Sequence, residues 1–535
     1  MRGLLFLVVA TVFGGCGAPN AAPTATAGKT TLHFDLSADP ASLNPLFARS
    51  DAGNGDQQLA HLAFEPFYDL DARGRPVPEL LARIPTVRNG GISADGRTIV
   101  YRLRPGVRWS DGVKVTSGDV LFTLRAILDP ANPVRSREGY ELIDRAEALG
   151  PLTVRFHLKR AWAPAVATFF TYGTSPQYVL PAHVLEKQRP LERAQFSGAP
   201  TIGDGPYTFE RWNRGDRLVY RANPRYWRGK PKIDELSVDI VPDPNSNLTL
   251  LRAGAIDFNL VAPVQIASLG DKPRIAFARV PTAIVAGLAF NTKHPPLDDA
   301  RVRRALAASL DRAAISAKIT FGNYPVADSD RPRFSWAYDA SVKEPHYDPA
   351  FADRLFDAAG WRRGPDGRRQ KNGKTLELNY VQFAETTTGI RVAAFAQRQF
   401  SERGISMPVK QTTQAQLYLP VRGVLAAGNY DVAYVPWTMG ADPDDAFLVA
   451  CGGAANSMRY CDSQVDRLEA AAAVEPHQEA RRRAYAAIDR IVARDVPILY
   501  LFNAGYVYAY NKRLRGFAPN AFSPTWNAYD WSLER

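Results

Sequence analysis

Segments of period two and segments of period 3.6 follow one another along a chain too long for one core, and this alternation sets the fold class. "DGRTIVYRLR" turns at Asp95-Gly96 and then puts Ile99, Tyr101 and Leu103 on one side, as a half-buried strand does. "LTVRFHL" alternates in the same way at Leu152, Val154, Phe156 and Leu158. Between them, "TSGDVLFTLRAILD" offers Thr116 as a helix cap with Asp119 three residues on, then Val120, Leu121, Leu124, Ile127 and Leu128 at helical spacing. Further helical patterns cover 299–317, 391–403 (stopped by Gly404) and 478–494, and "LELNY" reads as a strand. A length of 535 residues predicts two or more domains. No repeat of fixed period is present. The expectation is an α/β chain of several lobes.

Charge adds little to this. The net charge is +12, but the arginines are spread along the chain and mostly interleaved with acids. Arg301-Val302-Arg303-Arg304 and Arg481-Arg482-Arg483 stand out, and both fall in helical patterns where they read as solvated faces. No recognition motif accompanies the charge, so no nucleic-acid partner is expected.

The N-terminus points to a compartment. Met1-Arg2 precedes "LLFLVVATVF", about half the length needed to span a bilayer, which reads as a signal-peptide core. Gly14, Gly15 and Cys16 follow, a pattern that resembles a bacterial lipobox with Phe13 where Leu is usual. The signal peptide would cover 1–16 and end in a lipid-carrying cysteine; the alternative is a plain secretory signal cleaved nearby. "GAPNAAPTATAGKTT" is too poor in large apolar residues to fold and suits a tether over 17–30. If Cys16 carries lipid, Cys451 and Cys461 remain as an even pair in an oxidising location, and a local disulfide is expected rather than two free thiols.

Several chemistries leave no trace. The seven histidines are isolated, and no pair has metal-binding helix spacing. Neither a G-x-S-x-G elbow nor a C-x-x-C motif occurs. Gly28-Lys29-Thr30 and Gly373-Lys374-Thr375 lack the upstream glycine of a phosphate loop. No metal and no cofactor are expected. A hydrolase using two carboxylates brought together by folding stays open, with no positive support.

Seven stretches, in order, carry a resemblance. They are "DPASLNPL" (39–46), "LRPGVRWSDGVKVTSGDVLFT" (103–123), "IGDGPYTFERW" (202–212), "RANPRYWRGKPKIDEL" (221–236), "LRAGAIDF" (251–258), "FNTKHPPLDDARVRRAL" (290–306) and "FDAAGW" (356–361). Together they resemble the family 5 extracellular solute-binding proteins of bacterial ABC importers, the group with dipeptide-, oligopeptide- and nickel-binding members. Asp204 departs from the family's G-T-G-P-Y motif, a change that need not disturb the glycine turn. Trp109-Ser110-Asp111-Gly112 reads as a turn before the capped helix, and Asn223-Pro224 with Tyr226-Trp227 as a packed corner. The resemblance implies a periplasmic binding protein-like α/β fold (type II, cluster C-like): two lobes, three domains and a two-strand hinge. It places domain I at 31–61, 199–288 and 503–535, domain II at 62–198 and domain III at 289–502. The implied protein is a monomer without catalytic activity that captures a peptide, or another small polar solute, and delivers it to permease subunits from a lipid anchor on the membrane. An oligosaccharide or an opine-like conjugate is the alternative ligand. A secreted hydrolase or a surface adhesin is the rival class.

The resemblance also marks a site. "WTMGADPDDAFLVAC" carries Asp442, Asp444 and Asp445 in a Gly- and Pro-containing loop. In peptide-binding relatives this loop begins with tryptophan, and an aspartate three residues later pairs with the peptide ammonium. Here Trp437 is present, but Gly440 stands three residues on, and the stretch before Pro443 is one residue shorter. Asp442 is the nearest replacement, with Asp444 next; Asp442 would equally cap a helix beginning near Pro443. Asp444 and Asp445 suit a helix dipole or the surface better than a ligand. Trp437 would stack on a ligand or sit in the core. A second cleft segment, at Arg49, Ser50 and Asp51, would hold the ligand backbone through main-chain groups, with Arg49 offering a grip for a carboxylate.

Overall fold

The computed structural model describes residues 29–47, 55–171, 173, 176–269 and 273–534. Cys16 and the Arg49, Ser50 and Asp51 segment lie outside the described residues. Ten strands form the main sheet: β1 (Thr31–Leu36), β2 (Tyr207–Asn213), β3 (Arg217–Ala222), β4 (Glu235–Ile240), β5 (Phe258–Val261), β6 (Ile275–Phe290), β7 (Tyr380–Phe383), β8 (Val409–Thr412), β9 (Val432–Thr438) and β10 (Ile498–Asn511). Their spatial order is β8-β7-β9-β6-β10-β5-β1-β4-β3-β2.

Two long antiparallel strands sit at the centre of that order and belong to both halves of the molecule. The first part of β6 pairs Ile275–Pro281 with Asn511–Gly505 of β10, and the later part pairs Val285–Ala289 with Asn503–Ile498. The ladder slips between Pro281 and Val285. The hydrophobic core divides at the same place: Val280 packs in a core built from residues 32–280 and 506–531, Ala283 in one built from 283–502. Thr282, between them, donates its hydroxyl to the Ala504 carbonyl at 2.8 Å and accepts the Ile284 N–H at 3.1 Å. Two main cores, with a smaller cluster of Leu248, Leu251, Ile256, Val261, Leu269, Val507 and Ala509 on the side of the first, and one broken ladder therefore make two lobes joined by two strands, the α/β architecture expected. A slipped ladder with its own side-chain hydrogen bond can rotate without unpairing the strands on either side.

Most local readings hold. Thr98–Arg102 and Thr153–Leu158 are paired strands with Ile99, Tyr101, Val154, Phe156 and Leu158 buried. Helix Ser117–Leu128 starts with Thr116 and Asp119 in a reciprocal capping box. Helix Thr387–Glu402 stops before Gly404, whose φ is +80°, and Gln478–Asp495 is one helix. In "LELNY", Leu376 and Leu378 are buried, but the ladder begins only at Tyr380. Cys451 and Cys461 form a disulfide with Cα atoms 4.5 Å apart; closing so short a loop contributes up to about 3 kcal/mol in the chain-entropy account.

Two readings need correction. The 299–317 pattern is two helices, Ala300–Ser309 and Arg312–Ile319, because Leu310 is extended and Asp311 caps a new start by accepting from the Ala314 N–H. Nor is the first arginine cluster wholly a solvated face. Arg303 is buried and donates to the carbonyls of Leu297 (2.7 Å) and Asp495 (2.9 Å), tying its helix to the C-terminal end of Gln478–Asp495.

Asp204 leaves the glycine turn intact, as expected, and is itself buried, accepting the Glu65 N–H at 3.1 Å. The two glycines beside it are the strict requirement. A Cβ on Gly203 would lie 2.0 Å from the Ala63 carbonyl oxygen, and one on Gly205 2.6 Å from the Ala63 carbonyl carbon. Gly205→Ala is expected to cost about 3 kcal/mol in urea unfolding through this backbone collision. Gly198→Ala, where a Cβ meets nothing within 4 Å, should stay within about 0.5 kcal/mol of the parent.

Candidate ligand-binding cleft

Between the lobes lies a cavity of about 680 Å³, within the roughly 300–1,000 Å³ range of small-ligand sites. One lobe contributes Tyr68, residues 84–88, Ile99, Trp162 and Val166; the other contributes Arg331, Phe334, Trp336 and residues 439–443, 474, 476–479 and 481. The lobes touch around it. The Ala163 N–H donates across the gap to the Ala473 carbonyl at 2.7 Å, and Phe334 meets Phe522 with ring centroids 6.4 Å apart. Aliphatic, proline and aromatic side chains make most of the wall, so its few polar groups set orientation.

The principal polar feature is an ion pair between Asp442 and Arg481. The Arg481 guanidinium reaches both carboxylate oxygens, Nη1 to Oδ2 at 2.8 Å and Nη2 to Oδ1. It also donates to the Ala472 carbonyl at 3.1 Å and to the Tyr485 hydroxyl at 2.8 Å. Burial works against the charge on Arg481, but the Asp442 carboxylate outweighs it and holds the guanidinium above its usual range. Tyr68 faces this pair from the other lobe. Burial raises its phenol, and the Asp442 and Asp69 carboxylates raise it further.

Arg481 is the residue that sequence reasoning missed, and here the solvated-face reading of 481–483 is corrected. Helical geometry puts Arg481, Tyr485, Ile488 and Val492 on one buried face while Arg482 stays outside, paired with Glu479. The signal was the apolar spacing of Tyr485, Ile488 and Val492, which extends back to position 481.

Directly behind the loop is a second, fully buried arginine. Arg331 donates to Asp330 at 2.8 Å, to Asp445 at 2.7 Å and to Asp489, and its guanidinium lies 4.6 Å from the centre of the Tyr485 ring. Asp445 is buried, which corrects the surface alternative, and it stands at the N-cap of the helix that begins at Ala446, where the helix-dipole alternative put it; through Arg331 it anchors the end of the loop to the helix Gln478–Asp495. Burial lifts Asp489 to about 7 and Glu469 to about 11, the latter helped by Asp445. The carboxylates of Asp330, Asp445 and Asp489 stand within 4.8 Å of one another. Arg331 fills the centre that a cation would otherwise take.

The other site candidates fall as follows. Gly440 and Asp442 line the cavity. Asp444 does not: its Oδ1 accepts the Ala446 N–H at 3.1 Å, one residue ahead of Asp445, the N-cap of the helix that begins at Ala446, and Asp442 Oδ1 in turn accepts the Asp444 N–H at 3.1 Å. Burial, then the neighbouring Asp442 charge, push its carboxyl up to about 6. Of the two readings of Trp437, the core one fits: it pairs with Val285 in the ladder and packs in the core of its lobe, and the cavity is lined by Met439 two residues on.

Two substitutions check this electrostatic frame. Arg331→Met should cost about 3–5 kcal/mol at pH 7.5, because it strands buried carboxylates. Their folded-state pKa values would then lie above the unfolded ones, so the deficit should shrink at pH 5 in paired urea titrations. An equal deficit at both pH values would contradict this. Asp444→Asn should do the reverse at one site: the raised carboxyl costs stability as pH rises from about 4 through about 6. The variant should therefore melt higher than the parent at pH 8, by about 2 kcal/mol, and no higher at pH 4.

Comparison with known proteins agrees with this geometry. Residues 75–459 match the family model for bacterial extracellular solute-binding proteins, family 5 (middle region). The chain is 29% identical over 493 residues to di/tripeptide-binding protein 2 of Pseudomonas aeruginosa, covering 85% of this chain and 89% of that one. Its fold is similar to that of the ABC transporter substrate-binding protein CtaP of Listeria monocytogenes, with a TM-score of 0.83 at 23% identity, covering 95% of this chain and 100% of that one. It is also similar to the oligopeptide-binding protein AppA of Bacillus subtilis in complex with a nonapeptide, with a TM-score of 0.73 at 22% identity and the same coverage. Two lobes on a two-strand connection, a cleft between them and a match over more than half the chain lead to one conclusion: this chain belongs to the family 5 bacterial extracellular solute-binding proteins.

Proposed function

We propose that this protein is the extracytoplasmic substrate-binding component of an ABC importer, capturing a peptide between its lobes and delivering it unaltered to the permease. The observation that carries this reading is the cavity of about 680 Å³ shared by two separately cored lobes. A ligand there adds contacts to both lobes at once, so it favours the closed arrangement by its differential affinity, and opening releases it. The names of the relatives support a peptide over the oligosaccharide or opine-like alternatives.

Within this reading Gly440 and Asp442 contact the ligand from one lobe, and Trp437 and Asp444 support their loop from behind. Arg49, Ser50 and Asp51 hold the ligand backbone through main-chain groups. Domain I takes 31–61, 199–288 and 503–535, domain II 62–198 and domain III 289–502. The protein works as a monomer without catalysis, exported by a signal peptide over 1–16 and held at the membrane by lipid on Cys16 and a tether over 17–30.

A thermal-shift screen against di- to pentapeptides tests the central proposal. Peptide at a hundredfold excess over Kd should stabilise the fold by about 2.7 kcal/mol, and the peptide recovered afterwards should have its original mass. No stabilisation by any peptide would contradict the ligand class, and a cleaved peptide would contradict the binding role. The anchor is checked separately: Cys16→Ala should move the protein from the membrane fraction to the soluble extracytoplasmic fraction.

A further inference from the structure

We infer that Phe334 limits the length of peptide this cleft accepts: it is a bolt on one lobe that shuts into a socket on the other and closes one end of the cavity. The inference rests on the peptide-binding reading above and narrows it to short peptides.

The lobes meet at two places that both belong to the cavity wall. At one, the Ala163 N–H donates to the Ala473 carbonyl at 2.7 Å, and a Cβ on Gly96 would lie 3.6 Å from the Pro476 Cβ. At the other, Phe334 stands against Gly74, where a Cβ would fall 2.6 Å from the Phe334 Cβ. The Phe334 ring lies 6.4 Å, centre to centre, from Phe522, which itself packs against the core of the Phe334 lobe. Phe334 and Gly74 both line the cavity.

Both sides of this second contact are held in position. Gly74 occupies the turn between the paired strands Tyr68–Leu70 and Pro76–Pro78. Its φ is +75°, and Asp71 fixes the turn by accepting from the Arg73 and Arg75 N–H groups at 2.8 and 2.9 Å. Buried Asn520 ties the second half of the socket to the first. Its side chain donates to the Leu70 carbonyl at 2.7 Å and to Asp69 at 3.0 Å, and accepts the Phe522 N–H at 2.9 Å. On the other lobe, Phe334 follows Arg331 by three residues, and that arginine is bound by Asp330, Asp445 and Asp489. Neither backbone can give way without breaking hydrogen bonds of its own.

The consequence for a ligand is geometric. An extended peptide advances about 3.3–3.6 Å per residue. Once its end reaches Phe334, one more residue must push the ring out of the socket, which separates the lobes and forfeits the contacts that closure adds. Truncation to Ala opens a passage on the order of one strand spacing, about 4.8 Å, the width a single extended chain needs. The side chain removed is only half-buried and lies at the margin of its core, so the fold should survive the change.

The experiment offers the protein randomised peptide mixtures, one for each length from two to eight residues. Native mass spectrometry reads what each mixture leaves bound, and calorimetry on the retained sequences gives affinities. The parent should show a limit, with binding at least tenfold weaker one or two residues beyond the longest well-held length. Phe334→Ala, with a melting temperature matching the parent's, should bind peptides just past that limit at least tenfold more tightly than the parent does. Phe334→Leu, which refills much of the socket, should keep the parent limit. A parent that holds every length alike would overturn the inference and leave the peptide-binding function standing. So would a limit that Phe334→Ala does not move, or one that Phe334→Leu moves just as far, since the ring would then not be what stops the peptide. A parent that retains no peptide of any length would remove the peptide reading together with the inference.

Discussion

Two arginines buried in one lobe hold the cleft in shape. Arg481 and Arg331 flank the Tyr485 ring and between them bind Asp442, Asp330, Asp445 and Asp489, so a loop containing Gly440 and Pro443 is tied at both ends to a single helix. Burying such charges carries a desolvation cost of several kcal/mol per ion, offset only by near-ideal geometry and multiple hydrogen bonds. Arg481 has both: a two-point contact with a carboxylate, a backbone carbonyl and a phenol. What the network supplies is position. A wall that must meet a ligand in one arrangement cannot be left to a short, glycine-containing turn.

That rigid wall works together with a compliant connection. Each lobe has its own core, and the described chain passes between them in β6 and β10, where the ladder slips at Pro281 to Val285. Thr282 stands at that break, bonded to the Ala504 carbonyl, and the residues on either side of it belong to separate cores. The few direct contacts between lobes, such as Ala163 with Ala473, are single hydrogen bonds or ring edges. A ligand that fills the cavity can therefore decide between open and closed with a modest free energy.

The sequence made much of this architecture readable, because strand and helix periods report burial and burial is what divides the lobes. The capped helix at Ser117–Leu128 and the strands beside it follow directly from alternation and capping chemistry. The site was less legible, for two physical reasons. An arginine reads as surface until its surroundings are known, and Arg303 and Arg481 on helices, like Arg331 in a loop, are all buried through partners distant in sequence. Trp437 lies in β9, whose run Val432–Val435 is buried at every position, so no alternation announces which side chains point to the cleft. The three acids in one short loop looked interchangeable. The fold gives them separate partners: Arg481 for Asp442, the Ala446 N–H for Asp444 and Arg331 for Asp445.

The claim on which the rest depends is that the lobes move as bodies about the two shared strands and close on ligand. Small-angle X-ray scattering on the protein before and after addition of the tripeptide mixture, with binding followed by calorimetry in the same samples, measures this directly. Saturation should reduce the radius of gyration and sharpen the distance distribution. A scattering profile unchanged by a ligand that calorimetry shows to be bound would contradict the account.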